Sequence, residues 1–338
     1  MARTSFLIAA AGAVAAARVL RARRRVSFAG RVVVLSGGSR GLGLLMARRL
    51  VAEGARVALL ARTAADLDAA VAELGPAAIA VPCDVRDRAA VETAVAHVAE
   101  QLGPPSVLVH DAGVIAFGPE AHMGAADYAE SVDTHFWGAL HLTEAVLPHL
   151  PRDGSARVGY VASVGGRVAI PHLGPYSVGK HALVAYADTM RAALAGDGIA
   201  VTTVTPGLLR TGSHPNALVR GQHAKEFAWF AIGDASPLLS MDGGRAADAI
   251  LDALRHGDPA LTLTLPARLA AALDGVAPGL VGRAAALATR LLPAPTGPDG
   301  DRTQTGWQSR SALAPSALTA LADAQVAPNN ELRGHDAS

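Results

Sequence analysis

Tyr176-Ser177-Val178-Gly179-Lys180 places a phenol and an ammonium four residues apart. On a helix that spacing sets both side chains on one face. A free phenol ionises near about 10, too high to exchange protons readily at neutral pH. An ammonium beside it favours the phenolate and lowers that value, so the pair is a candidate acid–base couple. The chain holds 28 arginines but only two lysines, Lys180 and Lys225. A position needing positive charge alone would be arginine in such a chain; lysine points to a compact ammonium that also bonds a hydroxyl. Ser163, in Val161-Ala162-Ser163-Val164-Gly165-Gly166, ends an apolar stretch and adds a hydroxyl 13 residues ahead of the phenol. A lone Tyr-x-x-x-Lys also arises from a solvent-facing helical lysine, so the surrounding elements decide its meaning.

A second constellation lies near the start of the chain. Val32–Leu35 runs into Ser36-Gly37-Gly38-Ser39-Arg40-Gly41-Leu42-Gly43, and an amphipathic stretch follows. Glycines at 37, 41 and 43 remove the side chains that would keep a backbone away from a pyrophosphate. The free N–H groups of the helix start, here Ser39 to Gly43, then face the anion. Dinucleotide sites that take NAD usually carry an Asp or Glu about 20 residues past the glycines, on the ribose 2′-hydroxyl. Here Leu59-Leu60-Ala61-Arg62 brings no acid, Arg62 lies 19 residues past Gly43, and Arg40 sits in the glycine turn. Two guanidiniums suit a 2′-phosphate and point to NADP(H), unless both are ordinary surface arginines.

The elements that must hold these groups alternate. Apolar strands at Val32–Leu35, Arg56–Leu60, Ala78–Val81, Val107–His110, Val158–Ala162, Ile199–Val204 and Leu261–Leu265 are separated by helical patterns. The helices read Leu42–Glu53, Ala64–Leu74, Arg88–Leu102, a long stretch ending near His149, Tyr176–Ala195 and Arg245–His256. Such alternation specifies an α/β fold, a doubly wound parallel sheet flanked by helices. It places Ser163 at the carboxyl edge of the sheet, where open α/β sheets build their sites. Residues 212–243 loosen into a Gly/His/Pro-containing segment expected to shape a substrate pocket. Phe227, Trp229 and Phe230 there read either as an apolar lid or as helix core. The organisation is therefore an extension at 1–29, a domain at 30–265, Ala/Leu helices at 266–292 and a flexible tail at 293–338, whose Pro, Gly, Ser and Asp content disfavours a core.

Composition narrows the classes. With 338 residues, 51% of them hydrophobic and 17% charged, the chain can bury a large core and is not disordered as a whole. Aromatics at 4% argue against a base-stacking nucleic-acid binder, and a single cysteine, Cys83, excludes internal disulfides and cysteine-based zinc sites. No His-Glu-x-x-His spacing is present, and the chemistry above needs no metal.

The formal charge is +1, yet residues 1–31 contain seven arginines (Arg3, Arg18, Arg21, Arg23, Arg24, Arg25 and Arg31) and no acid. Phe6 to Leu20 reads FLIAAAGAVAAARVL, an apolar run shorter than the ~20 residues that span a bilayer. A signal peptide, a short anchor with its arginines on the cytoplasmic side, and a helix packed on the body all remain open. The expectation is a cytoplasmic protein that meets the cytoplasmic face of a membrane through this segment.

As a set, the glycine turn, Asp84-Val85, Ala112-Gly113, Ser163, Tyr176, Lys180, Pro206-Gly207 and Thr211 resemble the short-chain dehydrogenase/reductase family over roughly residues 30–265. The resemblance implies a seven-stranded Rossmann-like sheet and hydride transfer between NADP(H) and a small-molecule carbonyl or alcohol. Assembly with copies of itself is a separate expectation. It implies that Asp84 and Val85 hold the adenine, and that Thr211 and the backbone after Pro206 meet the nicotinamide carboxamide. Ser163 would bond the carbonyl oxygen, Tyr176 donate the proton, and Lys180 lower the phenol pKa and grip the ribose. Two positions depart from the family pattern. Asp111 stands where the family has the asparagine of Asn-Ala-Gly, and His135 where it has the asparagine of a catalytic tetrad. Two readings of His135 stand: an imidazole that relays protons and titrates near neutrality, and one that only fills helix space. These departures leave room for a non-catalytic cofactor-binding sensor or interaction protein on the same fold. A methyltransferase would share the glycine turn but would not need the Ser, Tyr and Lys.

Overall fold

The computed structural model describes residue 16 and residues 18–332. Arg3 and most of the Phe6–Leu20 run lie outside the described residues. Seven strands form one parallel sheet: β1 (Val32–Ser36), β2 (Arg56–Ala61), β3 (Ala78–Pro82), β4 (Val107–His110), β5 (Arg157–Val161), β6 (Ala200–Thr205) and β7 (Ala260–Thr262). Their spatial order is β3-β2-β1-β4-β5-β6-β7, with every neighbouring pair parallel. The expected doubly wound sheet is thus the observed one. All of β1, β4 and β5 is buried, as strands covered on both faces must be.

Helices α1 (Gly41–Ala52), α2 (Ala64–Leu74) and α3 (Arg88–Leu102) are the first crossovers; α4 (Ala125–Val132), α5 (Gly138–Val146) and α6 (Gly174–Leu194) follow β4 and β5. Two apolar clusters fill the two faces of the sheet. One joins Val34, Leu60 and Tyr160 to Val95, Leu142 and Leu183; the other joins Leu35 and Leu59 to Leu44, Leu50 and Ile250. The loosened segment after Thr211 contains a helix, α7 (His223–Ala235), followed by α8 (Gly243–His256). Phe227 and Phe230 are buried there with Phe117 and Leu173 in a third cluster, and Phe230 stacks on Phe117 with ring centroids 4.4 Å apart. Of the two readings for these aromatics, helix core describes both phenylalanines, while the half-buried Trp229 lies at the edge of the cluster.

Residues 18–23 are helical, and Arg21 pairs with Asp252 at 2.6 Å and Asp258 at 2.7 Å. Arg157, 2% exposed, clamps the chain just after them. It donates to the carbonyls of Arg24 (2.5 Å), Gly154 (2.9 Å) and Ala156 (2.8 Å). Burial, with Arg31 and Arg24 nearby, pushes its pKa down to about 10. Among the described residues no helix is long and apolar enough to cross a membrane.

The Ala/Leu region after β7 forms two helices, α9 (Leu265–Val276) and α10 (Pro278–Thr289). The segment from 293 onward departs from the expected flexible tail, because its polar groups find partners on the body. Gln304–Thr305 pairs antiparallel with Leu218–Val219, a one-turn helix forms at Ala320–Asp323, and Asn329 and Glu331 are 1% and 2% exposed.

Candidate active site

The strand order reverses between β1 and β4, and their carboxyl ends open the cleft where sheets of this kind hold ligands. Ser36 and His110, the last residues of those strands, are fully buried and joined Oγ to Nδ1 at 2.9 Å. Burial, reinforced by Lys180, pushes His110 down to about 3 and keeps it neutral. Ser36 Oγ also accepts the N–H of Ala112 at 3.3 Å, which brings Asp111-Ala112-Gly113 beside the glycine turn.

In that turn an added Cβ on Gly43 would lie 2.1 Å from the Gly37 carbonyl oxygen, so only glycine closes it. Helix α1 begins without a side-chain cap and without an acid in its first turn, leaving its N–H groups to outside partners. The Gly41 N–H donates to the Asn329 carbonyl at 2.9 Å. The Glu331 carboxylate stands over Gly41, 3.6 Å from Arg40 Nε. A turn that already packs around a buried carboxylate is an anion cradle by its donor set, and it fits the phosphates of a dinucleotide. Ser39 is buried and Leu42 half-buried within it.

The other expected cofactor residues border the same edge. Arg62 is exposed at the end of β2, and its charge helps hold the Asp84 carboxyl down; the main cause is a bidentate pairing of Asp84 with Arg86. Val85 is buried and packs against Gly138 at the start of α5. The Pro206 carbonyl accepts the Val164 N–H at 2.7 Å, Gly207 N–H donates to Leu263, and Thr211 is 5% exposed with Oγ1 3.0 Å from Ser213 Oγ.

Ser163 follows β5 and caps the single turn Val164–Gly166, its Oγ accepting the Gly165 N–H at 3.0 Å. Helix α6 begins at Gly174, with Pro175 where a missing N–H does no harm. Its first turn carries Tyr176 and its second Lys180. A Cβ on Gly165 would lie 3.3 Å from Tyr176 Cε1 and 3.5 Å from Ser163 Oγ, so both side chains flank one backbone position. Lys180 Nζ donates to the Val161 carbonyl at 2.9 Å and lies 5.8 Å from the centre of the Tyr176 ring.

The electrostatics correct one expectation. Burial outweighs the bond to Ser163 and pushes the Tyr176 phenol up to about 12, with Asp111 adding to the rise. The expected lowering by Lys180 does not offset this burial. Burial pushes the Lys180 ammonium down while Asp111 pulls it up, and burial pushes the Asp111 carboxyl up while Lys180 pulls it down. The two departures from the family pattern thus sit in the charge balance around Lys180.

His135 lies in a π-helical turn, Asp133–Trp137, between α4 and α5. Such turns widen a helix and aim a side chain inward. Its Nε2 accepts the Val114 N–H at 3.3 Å, which assigns the proton to Nδ1, 3.2 Å from Ser131 Oγ. The point where a Cβ on Gly113 would stand is 3.0 Å from His135 Nε2 and 3.6 Å from Lys180 Nζ. Burial, then Lys180 and His110, hold His135 well below the usual histidine range. The expected titration near neutrality is therefore corrected: the imidazole is neutral throughout that range.

Sequence reasoning missed Asn329, Asn330 and Glu331, which reach the glycine turn from the far end of the chain. Their only signal is an Asn-Asn-Glu run in an Ala- and Pro-rich segment.

A family model for short chain dehydrogenase matches residues 31–218. Dehydrogenase/reductase SDR family member 7B of Danio rerio is 33% identical over 245 residues, covering 70% of this chain and 78% of that protein. Ketoacyl reductase HetN of Nostoc sp. is 34% identical over 181 residues, 53% of this chain and 63% of that protein. Among solved structures, a dehydrogenase/reductase from Sinorhizobium meliloti superposes with a TM-score of 0.63 at 29% identity, covering 72% of this chain and 97% of that one. L-Sorbose reductase from Gluconobacter frateurii, complexed with NADPH and L-sorbose, superposes with a TM-score of 0.63 at 21% identity over 71% and 97%, a likeness of fold.

Proposed function

The chain belongs to the short-chain dehydrogenase/reductase family of oxidoreductases, and on that premise we propose that it interconverts a carbonyl and a secondary alcohol with NADP(H). The observation that carries the reading is the grouping of Ser163, Tyr176 and Lys180 at the carboxyl edge, beside the glycine turn. The bound nicotinamide supplies the hydride in the reductive direction. Ser163 Oγ donates to the substrate oxygen, and Tyr176, protonated at neutral pH, gives its hydroxyl proton to the same atom. Lys180, fixed by the Val161 carbonyl 5.8 Å from the centre of the phenol ring, would steady the phenolate left once the proton has gone, and would offer its other protons to the cofactor ribose.

Arg40 and Arg62, with no acid at the end of β2, support NADP(H) over NAD(H). A lipophilic substrate is supported by the partly buried apolar side chains Ile115, Ile170 and Trp229, which pack with Tyr176 itself on the core cluster of Phe117, Leu173 and Phe230. A steady-state screen of ketones and secondary alcohols with both nicotinamide cofactors tests the proposal. NADPH-dependent reduction of apolar ketones is the expected result. Cofactor binding without turnover across the panel would favour a nicotinamide-binding sensor, the alternative that Asp111 and His135 suggest.

A further inference from the structure

The segment 320–332 ends Val326-Ala327-Pro328-Asn329-Asn330-Glu331-Leu332 and turns back on itself through a Glu331 N–H to Val326 carbonyl bond of 2.9 Å. Asn330 takes φ +59°, a left-handed conformation that asparagine tolerates better than most residues. The turn aims three polar side chains at the glycine turn and its surroundings. Asn329 Nδ2 donates to the Thr211 carbonyl at 3.0 Å, and Asn330 Nδ2 donates to the carbonyls of Ser39 at 3.0 Å and Asp66 at 3.1 Å. Arg48 donates to Asn329 Oδ1 at 3.0 Å and to the Pro328 carbonyl at 2.5 Å. Asn216 Nδ2 donates to Glu331 Oε2 at 2.6 Å. At the other end, Asp323 accepts from Thr319 Oγ1 at 2.5 Å and meets His214 Nε2 at 3.0 Å.

These contacts occupy the groups that an anionic ligand would use. The Gly41 N–H, at a helix start with no side-chain cap, is taken by the Asn329 carbonyl. The space over Gly41 is taken by the Glu331 carboxylate: an added Cβ there would lie 2.6 Å from its Oε1 and 4.0 Å from Thr211 Cβ. The backbone of Gln325 runs so close to Gly212 that an added Cβ would meet its carbonyl oxygen at 2.5 Å. A carboxylate 2% exposed is costly unless partners hold it, and Asn216 and Arg40 do so here. A phosphate and this carboxylate cannot share the volume.

We infer that the C-terminal segment 320–332 is a built-in competitor of the nicotinamide nucleotide, with the Asn329 carbonyl and the Glu331 carboxylate standing in for phosphate oxygens. The inference rests on the reading that the glycine turn holds that nucleotide. The cofactor gains its cradle only when the segment leaves, and its apparent affinity is reduced by the fraction of molecules in which the segment is away. The protein is therefore self-inhibited at low cofactor concentration, and anything that draws 320–332 off the body activates it.

Hydrogen exchange on the full chain tests this without reference to turnover. Adding NADPH should slow exchange in 37–43 and speed it in 325–332. Slower exchange in both stretches would make the segment a lid on bound cofactor and overturn the inference. Equilibrium titration of NADPH supplies the second test. Glu331→Gln and Asn330→Ala should each bind about tenfold more tightly than the unmodified chain. Equal or weaker affinity in both, with binding intact, removes the competitor and leaves the cofactor reading standing. Failure of all three proteins to bind either nicotinamide cofactor removes that reading and the inference with it.

Discussion

Lys180 donates its Nζ proton to the carbonyl of Val161 at 2.9 Å, a bond that ties α6 to the last residue of β5. The lysine is 4% exposed and α6 carries Tyr176 one turn earlier, so this bond fixes the phenol relative to Ser163, two residues past Val161. Sheet, turn and helix thus converge on one point through a single ammonium. A guanidinium is larger and planar and would not fit the same slot.

Replacing Tyr176 with phenylalanine removes the proton donor and little volume. With the phenol pushed up to about 12, the wild-type residue carries its proton across the physiological range, so the substitution removes a group that is present and ready. Turnover should fall by about 100- to 10,000-fold, the usual worth of a positioned acid. NADPH affinity should change little, since a loss confined to turnover marks an interaction made only in the transition state. Near-normal turnover measured at saturating ketone would defeat the assignment.

Arg62 is exposed and near enough for its charge to act on Asp84, a carboxylate that Arg86 already holds in a bidentate pair. Its guanidinium therefore remains available to a 2′-phosphate. Arg62→Glu converts a charge-assisted bond into repulsion and should weaken NADPH by about 100-fold while leaving NADH within a few-fold. Titrations of both cofactors decide it: an equal loss for the two would remove the 2′-phosphate role.

The sheet was legible because its strands are continuous apolar runs between helical periods, a pattern with few other solutions. Ser163, Tyr176 and Lys180 were legible for a related reason: their spacing maps onto a strand end and a helix face. The pKa of Tyr176 was not, because it depends on how deeply the phenol sits and on Asp111, which only the folded arrangement reveals. The sequence points equally to a titrating relay at His135, but its state is fixed by burial and by a backbone N–H from Val114, 21 residues away. Residues 329–331 were hidden most completely. Composition marks the tail as unable to form a core, yet the segment needs none, since Ser39, Thr211 and Arg48 supply its partners.

His135 stays neutral near pH 7, so it should leave no inflection there. The wild-type pH profile of turnover is expected to be flat between about pH 6 and 7 as far as this residue is concerned. Substituting alanine should slow turnover roughly tenfold if the imidazole holds a water between Gly113 and Lys180, and asparagine should restore most of the loss. An inflection near pH 6.5 in the wild type that vanishes in His135→Asn would show that the imidazole titrates after all. Unchanged turnover in both variants would make the residue structural.

Asp234, on α7, gives a test of stability rather than chemistry. It is 5% exposed, with His214 Nδ1 3.8 Å away, and burial pushes its carboxyl up to about 8 against the pull of Arg210. In the unfolded chain the same group ionises near its ordinary value of 3.8. Below about pH 4 both states hold the proton and Asp234 imposes no penalty; as pH rises toward 8 the unfolded state ionises first, and stability is lost progressively. Asp234→Asn has no proton to lose. Relative to the wild type it should gain stability as pH rises, by about 4 kcal/mol between pH 4.5 and pH 8, read from urea midpoints at each pH. A stability difference that does not vary with pH would mean that the carboxyl is already ionised in the folded protein, held by Arg210 and His214.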